Sequence, residues 1–380
     1  MRRHKPVIAS GTATRATEGR EFELPLAPRA APIAIACAFA APLTTLVAAR
    51  FAAMGFVVIM ARMTIWFVFN GDADGICAAQ QLRLAGAAPE RVVTGVKRDV
   101  RLLDRVPATA GDHVVVADIS LDANRSALEH LLTAGVQVTW FDHHYAGVPP
   151  VHDKFAAHID AAPSVCSSLL VDHHLAGRYR AWAVTAAFGD NLAGVARAAG
   201  KASGLSVAQL EQLQELGVLM NYNAYGESVS DLKVDPAVLF ARLDGYADPF
   251  QFIDADSFVI ELRESMQSDL TAARGARALM ESAHATAFEL PDAPWARRVQ
   301  GVFANELASG NPQRAHALLV RKADGHVVSV RAPQANLRSA DKLCRAFASG
   351  GGRAGAGGVN HLPFADTTRF LEEFVKIYAM

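Results

Sequence analysis

Four short segments, each closing an apolar run with carboxylates or histidines, constrain this chain more than any other feature. They are FNGDADG (Phe69 to Gly75), VVVADIS (Val114 to Ser120), TWFDHH (Thr139 to His144) and AAFGDN (Ala186 to Asn191). The first three runs read as strands, over residues 65–70, 113–118 and 136–141, with a further strand over 91–96. Helices are expected between them, over 74–85 and 122–134, with Gly135 as a C-terminal stop. Strands alternating with helices of this length make βαβ units, and hence an α/β fold with a parallel sheet. Ligands of open α/β sheets bind outside the carboxyl ends of the strands. Asp72, Asp74, Asp118, His143, His144 and Asp190 are therefore expected at one rim. Carboxylates packed so closely raise one another's pKa unless a multivalent cation holds them ionised. An oxygen-rich, His-containing cluster suits manganese or magnesium better than zinc, and this one has room for two ions.

The order of the segments resembles the DHH phosphoesterase superfamily, over roughly residues 64 to 380. The D-x-D motif stands as Asp72 and Asp74, the lone motif II Asp as Asp118, the triplet as Asp142, His143 and His144, and the motif IV Asp as Asp190. The resemblance implies a two-metal hydrolase that takes Mn²⁺, or alternatively Mg²⁺. Its implied ligands are Asp72, Asp74, Asp118, His143 and Asp190, with Asp118 bridging both ions and His144 facing the substrate phosphate. Motif I departs from the family pattern. Some relatives place a His where this chain has Val68, and the RecJ-like branch an Asp where it has Asn70. Asn70 can offer a carbonyl oxygen to the site but no charge, which weakens one metal position. Other roles remain open for these residues: Asp118 could cap the following helix, and Asp72 and Asp74 could be turn residues. A second Asp-His-His, Asp172 to His174, lies in a helix-like stretch. Adjacent helical residues point about 100° apart, so this triplet is expected on a solvated helix face, away from the metals.

Near the C-terminus, strands over 315–321 and 327–331 pair across a turn at Ala323 to His326, and a helix over 339–348 leads into SGGGRAGAGG (Ser349 to Gly358). The strand ending Ser329-Val330-Arg331 and the run Gly350-Gly351-Gly352 resemble the DHH-associated C-terminal domain, with Arg353 where the family has His. The resemblance implies that Arg331, Gly351, Gly352 and Arg353 hold substrate phosphate. Arg353 brings a bidentate fork suited to phosphate, but no neutral imidazole. His361 could reach the same cleft or be structural. A flexible surface loop is the alternative for the Gly-rich run.

At 380 residues the chain is long enough for two domains. The expected division is an extension over 1–62, a catalytic α/β domain over 64–220, a helical connector over 221–290 and a smaller α+β substrate-binding domain over 291–380. Residues 31–49 form an uncharged, Ala-rich run with Pro32 and Pro42. It is less apolar than a membrane span, and Met63 stands just before the first core strand. A dispensable extension is therefore expected, with a membrane anchor as the alternative. Cys37, Cys77, Cys166 and Cys344 lack any zinc or disulfide spacing, which fits a reducing, cytoplasmic compartment.

Residues 1–63 carry eight Lys/Arg against three Glu, leaving 29 basic and 35 acidic residues for 64–380. Proteins that track long nucleic acid usually show a basic balance, and this core does not. The expected substrate is a short single-stranded oligonucleotide or nucleotide, hydrolysed by a phosphodiesterase that makes no stable protein partnership. The alternatives are a phosphatase for nucleotide bisphosphate, pyrophosphate or polyphosphate, and a non-catalytic nucleic-acid-binding protein.

Overall fold

A computed structural model describes residues 63–333 and 340–379, so the expected extension over 1–62 lies outside the described residues. The chain enters through β1 (Ile65–Phe69), α1 (Ala73–Leu84), β2 (Arg91–Val93), β3 (His113–Ala117), α2 (Leu121–Thr133), β4 (Gln137–Asp142) and β5 (Phe155–Ile159). These strands form one sheet in the order β2-β1-β3-β4-β5, every pair parallel. Both faces are covered, which is why the central strands are apolar throughout rather than alternating. Phe67, Phe69, Val115, Ala117 and Phe141 face one core, while Val68, Val114, Val116, Val138 and Trp140 face the other. Burying each of the larger side chains contributes about 1.5–3 kcal/mol.

Next come α3 (Ser167–His174), α4 (Arg180–Gly189), α5 (Ala193–Ala202) and α6 (Val207–Ala224), the last opened by a capping box between Ser206 and Gln209. Within the span 221–290 come the helices α7 (Pro236–Arg242), α8 (Pro249–Ala255) and α9 (Ser257–Arg274). Pro at the first turn and an Asp N-cap start both α7 and α8.

The second sheet starts at β6 (Ala278–Glu281) and β7 (Ala285–Leu290), ahead of the expected boundary at 291. It continues through α10 (Pro294–Gly310), β8 (Ala315–Arg321), β9 (Gly325–Arg331), α11 (Ala340–Arg345), β10 (Gly350–Arg353), β11 (Ala356–Pro363) and α12 (Thr367–Tyr378). The strand order is β10-β11-β9-β8-β7-β6, antiparallel except for the β7–β8 pair. Leu318 and Val320 join Val299 and Phe303 of α10 in the same apolar core as Phe67 and Phe69, so the two sheets share buried surface. The buried Arg298 ties this region together. It donates to Asp269 Oδ2 at 2.7 Å, to the Tyr222 hydroxyl at 3.1 Å and to the Asp231 carbonyl at 2.6 Å.

The Gly-rich run is not a loop. Gly350–Arg353 is the edge strand β10, paired with β11. Two positions show why glycine is needed there. A Cβ on Gly350 would lie 1.7 Å from the Cys344 carbonyl oxygen, and Gly352, at φ +140°, would press within 2.4 Å of Gly357 Cα. Among the described residues, no helix is long and apolar enough to cross a membrane.

Candidate metal centre

The strand order reverses between β1 and β3, and in open α/β sheets the crevice at such a switch point is where ligands bind. Asp72 and Asp74 follow β1, Asp118 follows β3, His143 and His144 follow β4, and Asp190 caps the C-terminus of α4. Asp118 and Asn191 both hold left-handed backbone, at φ 58° and 62°. Asx residues tolerate that region best among non-glycines.

Asp74, Asp118, His143 and Asp190 converge. His143 Nε2 lies 3.4 Å from Asp118 Oδ1, 3.8 Å from Asp190 Oδ2 and 3.9 Å from Asp74 Oδ2. His143 Nδ1 faces the Val165 carbonyl at 3.0 Å, leaving Nε2 to face the carboxylates. A histidine anchored in this way through its other nitrogen is the usual arrangement of a metal ligand. His144 lies close enough to Asp118 and His143 to share an ion with them. Its own Nδ1 is 2.7 Å from Oδ1 of the buried Asp142. The donor atoms, mostly oxygen with imidazole, suit a hard to borderline divalent cation.

The electrostatics support the same fit. Burial, followed by the charges of Asp72 and Asp74, pushes the Asp118 carboxyl well above the carboxylate range. Burial and Asp74 push Asp190 up to about 6. Without a cation, these groups resist carrying their charges together. Burial works against the His144 imidazolium, but the hydrogen bond and charge of Asp142 outweigh it and raise its pKa.

Asp72 lies beside Asp118, with its oxygens also engaged by other groups. It is buried, and its Oδ1 caps α1 by accepting from the amides of Asp74 at 3.0 Å and Gly75 at 3.1 Å. Its Oδ2 is ion-paired with Lys97. Burial opposes both charges, yet the pairing lowers the Asp72 pKa and raises that of Lys97. Asn70 is also buried; its amide donates to the Lys97 carbonyl at 3.1 Å, and its Oδ1 has no partner among the described residues.

Four contributing residues were not anticipated from the sequence. Lys97 stands just past the expected strand over 91–96, so the rule that placed the acids at the rim also reaches it. The Ser167 and Ser168 amides, at the start of α3, each donate to Asp74 at 2.8 Å, and Ser167 Oγ donates to Asp118 Oδ1 at 3.2 Å. Helix N-termini favour such anions. Asn221 accepts from the Ala73 amide at 2.9 Å and donates to the Gly189 carbonyl at 2.5 Å, tying the D-x-D loop to the end of α4.

The second triplet is remote from this cluster in role. Asp172 is buried, not solvated as expected, and accepts from Arg180 Nε at 3.0 Å. His173 is exposed, and His174 sets its ring edge against Phe141 and His158.

Beside Asp190 opens a cavity of about 370 Å³, lined by Gly189, Asn191, Asn221, Tyr225, Asn305 and Arg331 among others. Arg331 Nε donates to Asn305 Oδ1 at 2.8 Å, and Asn305 Nδ2 donates to Asn191 Oδ1 at 3.4 Å. Arg331 is thus linked through two amides to Asn191, the residue after Asp190. Across the second sheet Arg331 is in register with Ala356, and Ala356 with Arg353. The two arginines therefore share a sheet face, two strands apart, or about 10 Å. On the row beside them, a Cβ at Gly351 would meet nothing within 4 Å. His361 is not part of this grouping. It lies at the other end of β11, where its Nδ1 is 3.7 Å from Asp324 Oδ1, roughly 17 Å of strand away from Ala356.

No family model matches the chain, and no curated protein matches it in sequence. Among solved structures, it resembles a DHH-domain protein described as a member of a family of ribosomal proteins, with a TM-score of 0.55 and 15% identity over 83% of this chain and 86% of that one. It resembles RecJ of Thermus thermophilus in complex with Mn²⁺, with a TM-score of 0.56 and 19% identity over 83% of this chain and 52% of that one. An exonuclease RecJ bound to manganese gives 0.53 and 18% over 83% of this chain and 90% of that one. The chain therefore has the fold of the DHH-domain proteins, and it spans about half the length of the Thermus RecJ.

Proposed function

We propose that this chain is a metal-dependent phosphoesterase that hydrolyses short oligonucleotides or related nucleotide phosphodiesters. One observation carries the reading: Asp74, Asp118, Asp190 and His143 converge at the rim of the parallel sheet, next to a cavity that Arg331 lines. The likeness in fold to manganese-bound RecJ supports it. A divalent cation held by these four residues, manganese first and magnesium second, would polarise phosphate oxygens and acidify a water molecule. The remaining work falls to the protein. Arg331 is placed to hold a non-reacting phosphate in the cavity, with Arg353 on the same face of the sheet. A guanidinium suits that task because its fork matches two phosphate oxygens at once. His144 is exposed, and its Nδ1 is engaged by Asp142. Its Nε2 is therefore the atom to present a proton to the phosphate or leaving oxygen, a role that its raised pKa favours.

Substrate size follows from the cavity and from the charge. About 370 Å³ lies at the small end of ligand pockets, which run from roughly 300 to 1,000 Å³. Residues 64–380 carry more acid than base, so phosphates outside the cavity gain little from long-range attraction. A phosphatase acting on nucleotide bisphosphate or pyrophosphate is the second reading, and the half-buried Arg331 favours it only where the substrate ends at that phosphate. A manganese-supplemented screen over dinucleotides, longer single strands, nucleotide bisphosphates and pyrophosphate separates the two. Hydrolysis of dinucleotides ahead of all others is expected, and inertness towards every member of the panel would sink the proposal.

A further inference from the structure

The residues expected to hold the first of two cations are arranged to hold an ammonium group instead. Like Asp74, Asp72 accepts two backbone amides, both on Oδ1, but its Oδ2 is in addition paired with the Lys97 ammonium. Asn70, beside it, contributes no charge, and its amide group is fastened to the Lys97 carbonyl. Lys97 is held from three directions. Its backbone amide donates to the Ala224 carbonyl at 2.9 Å, its carbonyl accepts from Asn70, and its Nζ sits 6.0 Å from the centre of the Tyr225 ring.

The candidate ion sites agree with this. Among the described residues there are two groupings, Asp118 with His143 and His144, and Asp74 with His143 and Asp190. Neither includes Asp72, and both depend on His143. With Nδ1 of His143 turned to the Val165 carbonyl, only Nε2 is left, and one imidazole nitrogen ligates one ion. A second cation at Asp72 would have to displace the lysine or sit against it.

We infer that this protein binds a single divalent cation, through Asp74, Asp118, Asp190 and His143, and that the Lys97 ammonium permanently occupies the place of the other. The inference rests on the metal-dependent reading above and replaces the two-cation expectation drawn from motif resemblance. Lys97 thereby becomes a positioning residue for Asp72 and a fixed positive charge at the mouth of the site.

The test is Mn²⁺ binding to the chelator-stripped full chain, with free Mn²⁺ followed by its paramagnetic resonance signal and no substrate present. Wild type should bind one equivalent. The double variant Asn70→Asp, Lys97→Ala restores a carboxylate and frees Asp72, and should bind two; Lys97→Arg should stay at one. Circular dichroism establishes that each variant is folded, and the wild-type stoichiometry decides the matter even where a variant is not. Two equivalents of similar affinity in wild type would overturn the inference while leaving the metal-dependent reading intact. A folded double variant that stays at one equivalent would remove Lys97 from the explanation. No binding by wild type would remove the metal-dependent reading itself.

Discussion

At the rim of the parallel sheet, charged side chains arrive just after strands and, for Asp190, at the end of a helix, and pack against one another. On the second sheet, Arg331 and Arg353 stand on the strands themselves and keep contact with water. The two regions therefore carry charge on different terms. Asp118 and Asp190 have pKa values pushed up by burial and by their neighbours, a cost that a bound cation or a proton relieves. Arg331, half-buried and hydrogen-bonded to Asn305, is placed before any ligand arrives. The rim is built around something that must be bound, and the second sheet presents something ready to bind. Each can be disturbed without the other.

The largest effect is expected at the rim. Asp118→Ala should lower phosphodiester hydrolysis by about a thousandfold or more, because it removes a metal ligand at the reacting centre. The same change should raise the melting temperature of the metal-free protein, since it relieves repulsion among buried carboxylates. A variant that is both inactive and less stable would mean that Asp118 is a structural group whose loss disturbs the fold.

Asp190 isolates the electrostatic character of the rim. Its folded pKa of about 6 exceeds the ordinary 3.8, so between those values the native state binds more protons than the unfolded one. Stability of the metal-free protein should therefore fall as pH rises from about 4 to about 6, by at most about 3 kcal/mol from this group. Asp190→Asn should be more stable than wild type at pH 7.5, with the advantage fading as pH drops through 6. Denaturant unfolding at several pH values measures this, and a constant difference across that range would contradict it.

Arg331→Ala probes the second sheet. Losing charge-assisted hydrogen bonds worth about 1.5–3 kcal/mol should cut kcat/KM for dinucleotides about 10- to 100-fold. Mn²⁺ affinity should not change, because the guanidinium touches none of the metal-site residues. The smallest effects belong to His173→Ala and His361→Ala, which remove exposed side chains and should each change stability by less than about 0.5 kcal/mol. Activity should stay near wild type in both, while His143→Ala abolishes it. A dead His173 variant would erase the distinction between the two Asp-His-His triplets.

The rim was legible in the sequence because apolar runs ending in acids report both the strand and its open end. Asp74, Asp118, His143 and His144 could be placed together on that basis, whereas Asp190 closes a helix and was reached only through its motif. Pairing across the sheet could not be read in the same way. Lys97 lies 25 residues from Asp72, and only the fold shows that its ammonium pairs with that carboxylate. The Gly-rich run misled for a different reason. Glycine composition reads as loop, whereas here the small residues let α11 and β11 close against an edge strand. His361 was placed by its distance along the chain from the Gly run, and a strand of that length carries it to the far end of the sheet. The buried Asp172 shows the same limit, since a helical stretch with polar residues does not reveal that Arg180 lies just beyond the helix to cover it.

Whether the rim and the second sheet act together on a short phosphodiester is decided by hydrolysis of 5′-phosphorylated single strands of graded length by the purified full chain, with Mn²⁺ and then with excess chelator. Manganese-dependent cleavage that chelator abolishes is expected, with kcat/KM highest for substrates of roughly two to five nucleotides. Full activity in chelator, or efficiency that climbs steadily past about twenty nucleotides as a basic groove would produce, would contradict it.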